Sequence, residues 1–338
     1  MIKNFILRKV MLFAISIGVV FSAYSQDPHF SQYYANPLYL NPALAGATIC
    51  PRLNLNYRNQ WASISGQYVT YNASYDQHID ALSGGIGLLV TVDKAGEGVL
   101  NTTMASGIYS FKLDINRKLS LKAGFQATFH QKSIDWPRLT FPDMIDYRSG
   151  FVYNTNETSP DKQTISKADF ATGLVLYSDR FYGGFAVHHL TRPDEGFIGV
   201  SRIPLKYTLH AGGNISVEDN NSRKRTIEET AISPNLMYQK QAKFDQVNFG
   251  LYLNKYPFVG GIWYRHTGVL EKISTSNPDA VILLVGFVQP TFRFGYSYDI
   301  TVSRLSNASG GSHEFSLAFQ FDCFPKQKRV RPISCPIF

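Results

Sequence analysis

From Thr291 to Asp299 the chain alternates without a break: Phe292, Phe294, Tyr296 and Tyr298 fall on one parity, Thr291, Arg293, Gly295, Ser297 and Asp299 on the other. The same two-residue period runs from Glu314 to Phe321. It runs further from Leu119 to His130, where Leu119, Leu121, Phe125 and Phe129 oppose Ser120, Lys122, Gln126 and His130. Successive side chains point to opposite faces of a strand, so each stretch predicts a strand with one apolar and one polar face. About fourteen such stretches are found, near 53–58, 67–77, 84–93, 101–114, 119–131, 168–177, 181–189, 206–217, 228–240, 245–254, 257–266, 279–288, 291–299 and 312–321. Lengths near ~10 residues suit tilted membrane strands better than the ~5–6 of soluble sheets, and single-chain bacterial barrels need an even count. The pattern therefore predicts an all-β fold, a transmembrane antiparallel β-barrel of about 14 strands. A β-sandwich also alternates, but it favours Val and Ile over Tyr and rarely needs so many long strands.

Connector lengths give a second reading. Barrels of this kind have short periplasmic turns and longer external loops. Tight connections fall at 116–118, 178–180, 254–256 and 289–290, and long ones at 132–167, 190–205, 267–278 and 300–311. The short connection at 241–244 is the exception on the outside. Both chain termini then lie in the periplasm. The chain divides into a signal peptide (1–25), a periplasmic or plug-like segment (26–50), the barrel (51–321) and a periplasmic C-terminal segment (322–338). Residues 26–50 are rich in Pro, Asn and aromatics and lack alternation, so they are expected in the periplasm, inside the barrel, or against a partner.

Composition agrees with a lipid-facing surface. Aromatics reach 14%, with 20 Tyr and 24 Phe, against 17% charged residues; such an excess suits aromatic girdles at a membrane boundary. Lys3, Arg8 and Lys9 precede the apolar run 10–21, and Ala23-Tyr24-Ser25 supplies a small-x-small cleavage site before Gln26. Removing residues 1–25 takes three basic residues and no acids, leaving 30 − 25 = +5 spread along the chain. A nucleic-acid surface would need clustered positive charge, so none is expected. Three cysteines remain. In an oxidising compartment Cys323 and Cys335, both past the last strand, are the expected pair; Cys50 is left over, or pairs with either, because spacing does not determine connectivity.

The segment Asp27-Pro-His-Phe-Ser-Gln-Tyr-Tyr-Ala-Asn-Pro-Leu-Tyr-Leu-Asn-Pro-Ala-Leu-Ala-Gly46 resembles the mature start of the PorP/SprF family. The likeness continues through Tyr57-Arg58-Asn59-Gln60-Trp61, Asp93-Lys94-Ala95-Gly96-Glu97-Gly98, Leu139-Thr140-Phe141-Pro142 with Asp146, and Ala186-Val187-His188-His189-Leu190. It ends with Gly295-Tyr296-Ser297-Tyr298-Asp299, Gly310-Gly311-Ser312-His313-Glu314 and Cys335-Pro336-Ile337-Phe338. The resemblance implies an outer-membrane protein of the type IX secretion and gliding apparatus of Bacteroidota. Its implied partners are periplasmic ring proteins or a large secreted adhesin, besides outer-membrane lipid.

No catalytic, cofactor or metal site is expected. His188-His189 and His313-Glu314 are neighbours on strands and point to opposite faces, which suits packing and hydrogen bonding better than chelation or acid–base chemistry. No Gly-x-Ser-x-Gly signature supports an outer-membrane lipase. Lys122, Gln126, His130, Arg293 and Glu314 are expected to line the lumen. The long connection 133–167 is expected to fold into a binding surface. The residues marked for partner binding are Asp27, Pro28, His29, Phe30, Tyr33, Tyr34, Pro37, Tyr39, Asn41 and Pro42 in the N-terminal segment, and Trp136, Phe141 and Asp146 in the loop. The expected function is coupling or anchoring secretion-machine components; the alternative is a channel or transporter for hydrophobic or other small solutes.

Overall fold

The computed structural model describes residues 26–217, 230–269, 278–302 and 310–323. Within them fourteen long strands form one antiparallel sheet: β1 (Arg52–Gln60), β2 (Tyr68–Ile79), β3 (Gly84–Ala95), β4 (Leu100–Asp114), β5 (Ser120–Ile134), β6 (Thr164–Tyr177), β7 (Phe181–His188), β8 (Lys206–Gly213), β9 (Ala231–Gln241), β10 (Phe244–Lys255), β11 (Phe258–Thr267), β12 (Pro278–Val288), β13 (Phe292–Thr301) and β14 (Ser312–Gln320). All fourteen predicted stretches form, with ends displaced by no more than four residues. Each strand pairs with its neighbour in sequence. The ring closes where β1 meets β14, with Arg52 opposite Gln320 and Gln60 opposite Ser312. Closure leaves no strand edge unpaired, which is what allows a sheet to cross lipid. The predicted leader (1–25) and most of the C-terminal segment lie outside the described residues.

The two faces are inverted relative to a soluble sheet. On β5, Phe125 and Phe129 are half exposed on the outside, while Lys122, Gln126 and His130 are buried inside. On β13, Ser297 and Asp299 point into the lumen and Phe294 points out. Leu88, Leu209, Phe249, Leu251 and Val285 continue the outer apolar belt. Such a belt is stable against hydrocarbon, and the closed ladder satisfies every backbone group that crosses it. Among the described residues no helix is long and apolar enough to cross a membrane.

Connector lengths follow the alternation in most places. The turns 80–83, 115–119, 178–180, 256–257 and 289–291 lie at one end, while 135–163, 189–205, 268–277 and 302–311 lie at the other. Departures occur at 96–99 and 242–243, which are tight on the long-loop end, and at 214–230, which is long on the short-turn end.

The cysteine expectation is corrected. Cys323 is bonded to Cys50, with Cα atoms 4.5 Å apart, and not to Cys335, which lies outside the described residues. Ring closure explains the choice. Cys50 lies two residues before β1 and Cys323 three residues after β14, so pairing of these strands brings together residues 273 positions apart. The Gln320 side chain donates to the Cys50 carbonyl at 2.9 Å and further ties this corner. Peptide mapping without reductant should recover a Cys50–Cys323 link, and C50S should cost about 2–4 kcal/mol. C335S should leave the link intact; recovery of a Cys323–Cys335 link would contradict this pairing.

Candidate functional site

The lumen is filled by the chain's own N-terminal segment. Its backbone follows from local composition. Pro37 and Pro42 each open a short helical turn, Pro37–Leu40 and Pro42–Leu44, where proline's fixed φ and missing N–H carry no penalty. The Asn41 side chain accepts from the Ala43 N–H at 2.9 Å and caps the second turn. The result is a compact rod of turns, Tyr33 to Leu44, whose apolar side chains Tyr33, Tyr34, Leu38, Leu40 and Leu44 are all buried.

Four sets of wall contacts hold the segment from one end of the barrel to the other. At the long-loop end the Asp27 carboxylate meets His189 Nε2 at 2.9 Å, Lys206 Nζ at 3.2 Å and Gln241 Nε2 at 3.3 Å. His189 is braced on its other nitrogen by Asp169 at 2.7 Å. Burial disfavours a charged imidazole here, but the Asp27 and Asp169 carboxylates outweigh it and raise the His189 pKa to about 10. Since this is above the ordinary value of 6.5, the proton's contribution is complete below that pH and declines as pH rises toward 10. The clamp therefore holds through the neutral range.

At mid-height a buried cluster grips the segment's backbone. Glu314 accepts the N–H groups of Ser31 at 2.7 Å and Gln32 at 3.0 Å. Asp299 accepts the Ser31 hydroxyl at 2.6 Å. Arg58 bridges Asp299 and Glu314, each at 3.0 Å, and Arg265 adds a second contact to Asp299 at 3.0 Å. Two cations and two anions thus compensate one another in a place where an unpaired charge would be very costly. The Gln32 side chain donates to Ser297 and to the Glu314 carbonyl and accepts from Ser316.

Below this lies an aromatic layer, with Tyr33 edge-on to Trp263 at 5.2 Å and Tyr34 edge-on to Tyr182 at 5.8 Å. At the short-turn end Asn41 donates to the carbonyls of Leu174 and Phe185. The Ala45 carbonyl accepts from Lys122 at 2.6 Å and Ser110 at 2.7 Å, and Gly46 N–H donates to Asp76 at 2.9 Å. The wall makes room with glycine. A Cβ on Gly124 would collide with the backbone of Pro42 and Ala43, and one on Gly173 with the Asn41 side chain. G124V should therefore cost about 1–3 kcal/mol by overpacking and make residues 40–46 newly sensitive to protease in the folded barrel. Unchanged protection would count against this packing.

The residues marked for partner binding separate into two groups. Phe30, Tyr33, Tyr34, Pro37, Asn41 and Pro42 are buried inside the barrel, and Tyr39 lies under Lys206 Nζ at 4.9 Å with its hydroxyl on the Pro28 carbonyl. His29 Nδ1 accepts from Gln246 at 3.1 Å. Burial, with Arg265 and Arg58 nearby, keeps its imidazole well below the usual histidine range, so it is neutral and carries its proton on Nε2. These side chains hold the segment to the wall. In the loop, Trp136 packs on Phe141 at 5.1 Å, and Asp146 accepts the N–H groups of Arg148 and Ser149, each at 2.8 Å. That loop carries the exposed side chains Ile145, Tyr147, Phe151, Val152 and Tyr153. Sequence reading missed Arg58, Arg265, Lys206 and Asp299 as contacts of the segment, and Asp169 as the brace of His189. The available signal was charge on the polar parity of predicted membrane strands, where each ion needs an opposite partner.

A closed sheet, apolar outside and polar inside, with its lumen occupied by its own N-terminal segment, defines a plugged transmembrane β-barrel of the outer-membrane class. The chain belongs to the PorP/SprF family: the type IX secretion system membrane protein PorP/SprF family matches residues 22–319, nearly its whole length. It is accordingly a membrane component of type IX secretion. No curated protein matches it by sequence. Among solved structures it is similar to the toluene transporter TbuX of Ralstonia pickettii, at 8% identity over 84% of this chain and 93% of that one, TM-score 0.48. It is also similar to the outer membrane protein Omp33 of Acinetobacter baumannii, at 10% identity over 82% and 100%, TM-score 0.46. A FadL homologue of Pseudomonas aeruginosa shares 14% identity over 83% and 93%, TM-score 0.40.

Proposed function

We propose that this protein is a non-conducting anchor in the outer membrane that couples a type IX secretion component, either a periplasmic ring protein or a secreted adhesin, to the envelope. The observation that carries this reading is the plug. Residues 27–46 occupy the lumen from end to end, fastened by buried ion pairs and backbone hydrogen bonds. A barrel built for solute passage would leave a path or a loosely held gate, whereas this wall is specialised to hold one internal ligand. The exposed apolar side chains of the long loops, Tyr147, Phe151 and Tyr153 with Ile198 and Val200, are the surface left for protein partners. The buried N-terminal residues act at one remove, by making the wall that presents those loops rigid. The leader and the C-terminal segment belong to the same reading, as an export signal and a periplasmic contact.

Gently solubilised envelopes test it. Wild-type protein should co-purify with a defined partner set by mass spectrometry, and a variant lacking residues 139–160 should lose the main partner while remaining a folded barrel. An unchanged partner set would move the coupling surface elsewhere. A large resting current from the wild-type protein in planar bilayers would favour the transporter reading.

A further inference from the structure

The mouth at the long-loop end is not filled. Two cavities, of about 280 and 440 Å³, flank residues 26–29 and share Gln60 and Trp61 as a common wall. Both contain the first residues of the plug in their lining, so each is a pit bounded on one side by the plug.

Most of the charges around these pits are already matched. Asp27 is paired with Lys206 and His189, Arg265 with Asp299 and Asp279, and Lys132 with Glu195. Asp93, in the larger pit, makes no ion pair among the described residues and accepts the Thr70 hydroxyl at 2.6 Å; the other groups left over are uncharged. Gln60, Thr267 and Ser312 make no side-chain hydrogen bond among the described residues, and the neutral His29 has an unpartnered Nε2–H. Gln239 sits beside them in the smaller pit.

Trp61 is the second, independent sign. It holds a left-handed backbone, φ 60°, a conformation that strains a bulky side chain. The turn enforces it: Trp61 N–H donates to the Gly311 carbonyl and its own carbonyl accepts from Ile64. Strain of this kind persists where the surrounding structure over-determines it, and it concentrates at binding sites. Here it places a half-exposed indole, edge-on to Tyr68, on the wall common to both pits.

We propose that this mouth binds an uncharged oligosaccharide, with a sugar ring against Trp61 and its hydroxyls bonded by Gln60, Gln239, Thr267, Ser312 and His29. A sugar ring has an apolar CH face that packs on an aromatic ring and a rim of hydroxyls that exchange hydrogen bonds with amides and other hydroxyls. The pits suit this shape and chemistry. The ion pairs that compensate most of the charge disfavour a strongly ionic ligand, while the lone Asp93 carboxylate can accept a sugar hydroxyl. Their volumes fall at the small-ligand end of binding sites, enough for one or two rings each. The source is either a free oligosaccharide or the sugar chain of a lipid-linked surface glycan. The inference does not depend on the coupling role.

The test uses the full exported protein in detergent, titrated calorimetrically with maltohexaose and chitohexaose in one arm. In the other arm, protein in vesicles carrying smooth lipopolysaccharide is compared with vesicles carrying sugar-free lipid A. Saturable binding with Kd below about 1 mM is expected in at least one arm, and that arm identifies the source. W61A should weaken it about tenfold or more, while W61F retains most of the affinity. If W61A fails to show the mobility shift of a folded barrel, Q60A serves in its place with a smaller loss. Absence of binding in both arms, affinity unchanged in the folded variant, or equal Trp61-dependent binding of hexaglycine would overturn the proposal.

Discussion

Deleting residues 26–46 is expected to turn a plugged barrel into an open channel. The deletion leaves Cys50 and the strands in place, so the Cys50–Cys323 link and the ring closure persist. What disappears is the rod that packs Tyr33, Tyr34, Leu38, Leu40 and Leu44 against the wall. A fourteen-strand ring stripped of its filling has a water-filled lumen lined by Arg58, Lys122, Arg265 and Glu314. Planar-bilayer recordings should therefore change from no steps to discrete, long-lived steps. Stability should fall as well, because each large apolar side chain withdrawn removes roughly 1.5–3 kcal/mol of burial. A deletion variant that folds yet remains silent would show that something other than this segment closes the pore.

The second large effect is expected from a single atom group, the Glu314 carboxylate. It accepts two plug N–H groups and an Arg58 contact in a fully buried site. E314A leaves Arg58 short of a counter-ion and two backbone donors without acceptors, a loss of about 3–5 kcal/mol. The folded barrel should convert to its unfolded gel form at a markedly lower temperature, with brief openings in bilayer recordings as the rod loosens. E314Q keeps one acceptor oxygen and should fall between the two. A wild-type thermal profile for E314A would show that the cluster contributes little to holding the segment.

The strand periodicity was legible because it is local. Phe125 and Lys122, or Phe294 and Asp299, reveal their faces by parity alone, and the structure places each on the face so predicted. The lumen position of Lys122, Gln126, His130 and Glu314 follows from the same argument. The contacts of the N-terminal segment were not legible. Its prolines and asparagines announce turns, and its aromatics announce burial, but neither says against what. Tyr33 and Tyr34 look equally suited to a partner protein and to a barrel interior, and the buried surface turns out to be the chain's own wall. Connector parity also stopped short, since the long stretch 214–230 on the short-turn end breaks a rule that holds at most other connections.

Alternation with a period of two determines strands, their number and which face meets lipid, because each of these depends only on neighbouring residues. Threading and pairing were decided by the closed ring. It sets Ser31 beside Glu314 across 283 positions, Asp27 beside His189 across 162, and Cys50 beside Cys323 across 273. Contacts at such separations carry no periodic signature, since they exist only once the sheet has curled and brought its first and last strands together.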